Sequence, residues 1–394
     1  MLSAAFDILA SQEHDVKPTP NVTANHDEVL RHSNSTNGGF HCNSISTGLV
    51  LLADILPSLI IKITAPFYMQ KVNYHIRIAF VVGVLSASLF LLAYSSSVAV
   101  SLLAVILASV SSGLGEITFL GLSSHFKKST LSAWSSGTGM AGVLGSISYA
   151  GLLQIGLSKR QAVLFLLIVP LIFAIQVWVV LKYPDALKIS RLCIRQTKED
   201  NDAYSNVKAD TAKSNGEDKT KDMALPEKLR IIFALKKYMI PLFVVYLAEY
   251  TINQGLYELL YYDVTWLTQA EQYRWFQVDY QIAVFISRSS VQIFQIKNLI
   301  FLSLGQCVLF VLLLLEVVYT FIPSIFVTLA IIFVEGLFGG AVYVNTFYNM
   351  SEEVDESIRE FSLGAVSVSD SFGISISGGI SIPLHNVLCK LKKS

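Results

Sequence analysis

Apolar residues in this chain come in unbroken runs separated by short stretches of turn-forming and charged residues. A helix needs roughly 20 such residues to cross the hydrocarbon of a bilayer. Runs of that kind cover about 45 to 69, 76 to 94, 98 to 124, 130 to 156, 161 to 182, 238 to 262, 272 to 288, 298 to 320, 323 to 349 and 361 to 389. The pattern predicts an all-α polytopic membrane protein with about ten transmembrane helices. The seventh run is the least apolar, because Gln277, Asp279 and Gln281 interrupt it. Membrane strands would be about ten residues long and alternate strictly between apolar and polar. The continuous LLAVILASV at 102 to 110 excludes that pattern.

The polar stretches organise the rest. Residues from about 184 to 236 are rich in Lys, Asp, Glu, Ser and Asn, and read as a disordered linker between two groups of five apolar segments. The chain thus divides into a residual helix end with a lumenal polar loop at 1–44, an amino-terminal bundle at 45–183, a cytosolic linker at 184–237 and a carboxyl-terminal bundle at 238–394. The first loop carries two glycosylation sequons, at Asn21 and Asn34, which would make it lumenal or extracellular. Alternation from that side puts Lys71, Arg77, Lys127, Lys128, Arg288, Lys297 and the linker in the cytosol, in agreement with the positive-inside rule. Lys159 and Arg160 run against it, as does the mainly acidic loop at 351 to 360. The carboxyl end, with KLKKS at 390 to 394, falls on the lumenal side, where cytosolic coat proteins would not read it as a dilysine signal. MLSAAFDIL at the start is too short to span and resembles the last turns of a helix.

Composition narrows the function classes. The chain is 53% hydrophobic and 15% charged, with a mean hydropathy of +0.54, so most of it must meet lipid or other apolar segments. The 29 basic and 29 acidic side chains cancel, which gives no argument for nucleic-acid binding. Cys42, Cys193, Cys307 and Cys389 lie far apart without metal-ligand spacing and read as apolar fillers. No GxSxG, HExxH or P-loop occurs, so the sequence offers no enzyme and calls for no cofactor.

Charged groups inside the apolar runs carry the candidate chemistry, because each costs about 2.5 to 3.5 kcal/mol in hydrocarbon and should face a cavity, a partner or the bundle interior. The set comprises Asp54, Lys62, Glu116, Glu249, Glu258, Asp279, Arg288, Glu316, Glu335, Asp370 and His385. For Lys62, Glu258, Glu316 and His385 the expectation is snorkelling to the membrane surface near helix ends. Glu116 lies among Ser109, Ser112, Gly113 and Gly115, which makes it either a capped carboxyl on a packing face or a cavity-lining site. Gly137, Ala141 and Gly145, four residues apart, read as a helix-packing face. At 100° per residue Tyr246, Glu249, Asn253 and Tyr257 share one face and Glu258 points the other way. Glu249 is then a proton-coupling candidate or an interhelical strut. Gln277, Gln281 and Arg288 align within about 40° of each other. The guanidinium suits capture of a carboxylate or phosphate, or serves as a topology anchor. Asp370, in VSVSDSFGISISGG, is a partner for an arginine, a cation site or a helix cap.

At these residues the chain resembles the battenin family of lysosomal membrane proteins. The stretches that carry the likeness are CNSISTGLVLLADILPSLIIKITAP at 42 to 66, SSGLGEITFL at 111 to 120, WSSGTGMAG at 134 to 142, VYLAEYTINQGLYELL at 245 to 260, QYRWFQVDYQIAVFISRSS at 272 to 290 and EGLFGGAVYVNTF at 335 to 347. The resemblance implies a major-facilitator-like fold, residence in late endosomal and lysosomal membranes, and a role in glycerophosphodiester clearance. It also implies ties to lysosomal pH, basic amino-acid transport and trafficking, the last through partner proteins at the cytosolic linker. It carries Glu249, Arg288 and Asp370 over as functional positions. The family's full first helix corresponds here only to MLSAAFDIL, and its prenylation-type carboxyl end is not matched, since five residues follow Cys389. The expectation is a transporter of a small polar solute with a cavity between the bundles. Arg288 would hold an anionic phosphodiester, Tyr246, Asn253 and Gln281 its polar headgroup, and Glu116 and Glu249 a cationic group or protons. The rivals are a non-transporting scaffold for endolysosomal trafficking, and an intramembrane hydrolase, for which no nucleophile and base pair is visible.

Overall fold

The computed structural model describes residues 47–69, 72–126, 128–181, 223–263, 267 and 269–393. Both sequons, Cys42 and Cys193, and the linker from 182 to 222 lie outside the described residues.

Helices α1 (Thr47–Tyr68), α2 (Tyr74–Ala93), α3 (Val98–Ser123) and α4 (Lys128–Gln154) follow one another through short turns. The fifth apolar run is a rod broken into α5 (Lys159–Phe165), α6 (Ile168–Ile175) and a π-helical turn at Gln176–Val180. Some of the starts have a visible local cause. Asn73 accepts from the His75 amide at 3.0 Å at the head of α2, and Ser158 and Gln161 form a reciprocal capping box on α5.

After the linker come α7 (Leu225–Ala234) and α8 (Lys236–Thr251), bent by 66° against each other, with a π-helical segment at Ile252–Leu256 and a 3-10 turn at Tyr257–Leu259 continuing α8. Then follow α9 (Gln269–Ser289), α10 (Leu299–Tyr319), α11 (Ile325–Glu353), α12 (Glu356–Val366) and α13 (Val368–Lys393), the last two divided by a break at Ser367. Helix α7 occupies part of the stretch that composition assigned to the linker. Its Pro226 stands in the first turn, where a missing amide donor costs nothing, and its charged residues mislead a hydropathy reading.

Among the described residues, seven helical stretches are long and apolar enough to cross a membrane, and eight if the bent α7–α8 pair counts as one span. The other two predicted segments, α4 and α9, are long helices below that level of apolarity, and they pack on each other. Pairing explains their composition: two helices that bury polar faces together need less apolar surface than helices wrapped by lipid.

In the amino-terminal half α3 packs between α1 and α2, and α2 carries the α5–α6 rod. In the carboxyl-terminal half α11 packs on α9 and α10, and α8 on α10 and α13. The halves meet along α1–α13 and α4–α9, and α4 lies chiefly against α9 and α11 rather than against its own half. Small residues set the distances. A Cβ on Gly113 of α3 would lie 2.8 Å from Ser58 Cα of α1, and one on Gly139 of α4 would lie 2.9 Å from Phe285 Cα of α9. The expected packing face of Gly137, Ala141 and Gly145 is instead turned outward: all three are exposed, and a Cβ on either glycine would meet nothing within 4 Å. Gly139 and Gly142, on the opposite side of the same glycine-rich helix, make the approach.

Candidate functional site at the interface of the two halves

The ionised groups that the membrane penalises converge between the halves. Lys62, seven residues from the end of a predicted span, does not snorkel: it is 3% exposed and its ammonium lies 2.6 Å from Glu116 Oε2 and 3.0 Å from Asp370 Oδ1. It also donates to the Ser367 carbonyl at 3.3 Å. Three elements build this cluster. The small residues of α3 let α1 come close enough for Lys62 to meet Glu116. The α12–α13 break turns a helix carboxyl end, with its unsatisfied carbonyl, and the acidic first turn of α13 toward the same point. Asp370 is further held by Ser371, whose Oγ donates to Oδ1 at 2.9 Å.

Arg288 lies next to this cluster and has a different environment. Its guanidinium donates to Thr138 Oγ1 of α4 at 2.8 Å and to the Tyr246 hydroxyl of α8 at 3.0 Å. It stacks 4.2 Å above the ring of Tyr343 on α11, and its Nε is buried without a hydrogen-bond partner. Among the described residues, no carboxylate forms an ion pair with it. The Tyr343 hydroxyl donates to Glu116 Oε1 at 3.2 Å, so one ring joins the two cationic centres. The continuous path is Thr138, Arg288, Tyr343, Glu116, Lys62 and Asp370, crossing from one half of the molecule to the other.

A second polar group lies within the carboxyl-terminal half. Glu249 is 2% exposed and accepts a hydrogen bond from Tyr280, leaving Oε2 without a partner. Gly339 makes room for this carboxylate, which a Cβ at that position would strike. Below it Glu335 accepts from Tyr257 and from Gln306 Nε2, each at 2.8 Å. The stripe expected along 246 to 257 is therefore divided among three partners: Tyr246 goes to Arg288, Glu249 to Tyr280 and Tyr257 to Glu335. The π-helical segment at Ile252–Leu256 accounts for Tyr257, because its wider turn shifts the register that a regular helix would keep, whereas Tyr246 and Glu249 precede it on α8 and meet different residues of α9. Asn253, inside that segment, is 3% exposed with Oδ1 unpartnered, and its carbonyl accepts from Gln277 at 3.3 Å. Gln281 leans on Gly142 of α4.

Of the sequence candidates, the structure brings Glu116, Arg288, Asp370 and Tyr246 together, and places Glu249, Asn253 and Gln281 on the adjoining helix faces. Sequence reasoning missed Thr138, Tyr280 and Tyr343, whose types are common in apolar helices. The snorkelling expectation also fails at Glu258, Glu316 and His385, all buried. Glu316 accepts from the Tyr262 hydroxyl at 2.9 Å and from the Ile322 amide at 2.8 Å, and His385 Nδ1 lies 3.8 Å from Glu258 Oε2. Cys389 is disulfide-bonded rather than an apolar filler. No group of three His, Cys, Asp or Glu side chains able to hold a metal ion occurs among the described residues.

A helical membrane protein in two bundles, with charged groups meeting where the bundles touch, has the architecture of the major facilitator class. The fold matches the Escherichia coli fucose:proton symporter FucP with a TM-score of 0.54 over 99% of this chain and 88% of that one, at 12% identity. It matches the human organic anion transporter MFSD10 with a TM-score of 0.55 over 98% and 97%, at 10% identity.

The chain belongs to the battenin family: the CLN3 protein family model matches residues 1–391. It is 42% identical over 397 residues to battenin of Canis lupus familiaris, covering 99% of this chain and 87% of that protein. It is 38% identical over 383 residues to protein btn-1 of Neurospora crassa, covering 88% and 82%. Family and fold together are those of a non-enzymatic, multi-pass membrane protein.

Proposed function

We propose that this chain is a lysosomal and late endosomal transporter that moves a small polar anion of the glycerophosphodiester type by alternating access of its two bundles. The observation that carries this reading is the state of Arg288, a half-buried guanidinium between the halves, supported by two hydroxyls and an aromatic face, with no carboxylate among the described residues in an ion pair with it. A cation partly withdrawn from water without a bonded counterion is costly, and a bidentate phosphodiester is the ligand whose geometry matches a guanidinium fork. Thr138 and Tyr246 hold the fork by hydroxyl oxygens that a phosphate can displace without leaving a second charge unpaired. Glu249 and Asn253 retain free acceptor atoms on the adjoining face, which suits the hydroxyl-rich end of such a solute or a coupled proton. Links to lysosomal pH and to basic amino-acid homeostasis belong to the same reading, as secondary consequences of solute movement.

Counterflow of labelled glycerophosphodiesters in proteoliposomes tests it. Uptake by the unaltered chain should fall to background in Arg288→Ala and drop strongly in Glu249→Gln. Uptake unchanged by both substitutions overturns the proposal.

A further inference from the structure

The oxygens around Lys62 form a cation site that the chain fills with its own ammonium. Glu116 Oε2, Asp370 Oδ1 and the Ser367 carbonyl converge on one nitrogen at 2.6, 3.0 and 3.3 Å, and they come from α3, α13 and the break between α12 and α13. The local charge is unevenly shared. Two cations and two carboxylates lie along the path, yet Lys62 takes both carboxylates and Arg288 takes neither. Tyr343 lies between, with its ring under the guanidinium and its hydroxyl on Glu116. A ligand with an anion at one end and an ammonium at the other would correct the imbalance: the anion supplies what Arg288 lacks, and the ammonium takes an oxygen set already arranged for a nitrogen cation.

We infer that Glu116, Asp370 and the Ser367 carbonyl are the subsite for a substrate ammonium, and that Lys62 competes for it as a tethered occupant, so that Lys62 sets the preference between zwitterionic and purely anionic solutes. The inference rests on the transport reading for its biological setting, and on the ion-pair geometry for its chemistry. Discrimination follows from the competition. A solute without an ammonium leaves Lys62 in place, clasping α1 to α13 across the two halves. A solute with one must displace Lys62 from at least one carboxylate, and the freed lysine is then available to the same solute's phosphate. Glu249 has no part in this subsite, because its carboxylate is bonded to Tyr280 on a different face.

The test compares two phosphodiesters of like size, glycerophosphoethanolamine with an ammonium and glycerophosphoglycerol without one. Dissociation constants come from the thermal stabilisation of the purified full chain, and counterflow is measured alongside. Lys62→Met vacates the subsite, and the binding ratio of glycerophosphoethanolamine to glycerophosphoglycerol should rise at least tenfold. Lys62→Arg keeps a cation with a wider fork, and should lower the ratio severalfold. Should Lys62→Met fail to fold, the arginine variant alone decides. A ratio within twofold of the unaltered protein in the variants that fold overturns the inference, as does failure of the unaltered protein to bind either solute. If the ratio shifts as expected while counterflow stays at background, the subsite stands and the transport reading falls.

Discussion

The seam between α9 and α11 allows the sharpest test of how this molecule is held together. Gly336 and Gly340, one turn apart on α11, lie directly against the α9 backbone. A Cβ on Gly340 would be 2.7 Å from the Val284 carbonyl oxygen and 3.0 Å from Ser287 Cβ. Ordinary carbon–oxygen contacts begin near 3.3 Å, so Gly340→Ala forces α9 outward by roughly 0.6 Å. A gap of that size forfeits about a quarter or more of the dispersion energy along the contact. It also strains the bond from Ser287 Oγ to the Leu337 carbonyl at 2.6 Å. Overpacking of this kind costs about 1 to 3 kcal/mol. Helix α9 carries Tyr280 and Arg288, so the same displacement pulls on Glu249 and Tyr246. Gly145 on α4 is the control: it faces open space, and Gly145→Ala should gain about 0.5 to 1 kcal/mol from helix propensity alone. Thermal unfolding of the two variants in one detergent, with uptake measured in parallel, decides the matter. A melting temperature for Gly340→Ala equal to or above that of Gly145→Ala would show that glycine is not needed at this seam.

Other substitutions separate the polar groups. Arg288→Lys keeps the charge but loses the fork that reaches Thr138 and Tyr246 together, and counterflow of a labelled glycerophosphodiester should fall at least tenfold with the melting temperature little changed. Tyr343→Phe keeps the ring beneath Arg288 and removes the hydroxyl on Glu116, so its uptake should lie between those of Arg288→Lys and the unaltered protein. Tyr257→Phe leaves Glu335 with Gln306 as its remaining partner, and should destabilise the carboxyl-terminal half by about 1 to 3 kcal/mol in thermal unfolding, with solute binding unaffected. Glu360 of α12 accepts from Tyr74 at 2.8 Å and lies 3.5 Å from His125, tying one half to the other away from the central cluster. Glu360→Gln should therefore speed proteolysis at the α2 and α3 ends, and a digestion rate equal to that of the unaltered chain would count against the tie.

The sequence and the structure agree where one number decides the outcome. Twenty apolar residues in a row cost too much in water and too little in lipid to be anything but a span, so α1, α2, α3, α10 and α11 begin and end within two residues or so of their expected limits, with the carboxyl end of α11 running a few residues longer. Charge in such a run is equally conspicuous, and it marks Glu249, Arg288 and Asp370 as three among eleven such residues. Direction was harder to read. Spacing of small residues shows that a helix can be approached, but α4 has small residues on two sides, and the exposed Gly137 and Gly145 looked as suitable as Gly139 and Gly142, which make the contact. A regular 100° step also fails when the helix departs from it, and the π-helical segment after Thr251 sends Tyr257 to Glu335 instead of to the face of Tyr246.

Lys62 shows most clearly why the site was harder to read than the fold. By sequence it is a lysine within reach of a helix end, and a flexible four-carbon stem makes escape to the surface the cheap solution. What holds it inside is 305 residues away: the break at Ser367 exposes a carbonyl and starts a new helix with Asp370 in its first turn. Neither feature has a local signature, since serine and glycine recur throughout 366 to 379 and the break needs no proline. Ion pairs of this kind join elements distant in sequence, so a charge in an apolar run marks a cost, and only the tertiary partner shows what offsets it. For Lys62 that partner is a pair of carboxylates, for Glu249 a phenol, and for Arg288 two hydroxyls and a ring, with no carboxylate of the described residues bonded to it, which is why Arg288 is the position from which a solute can be inferred.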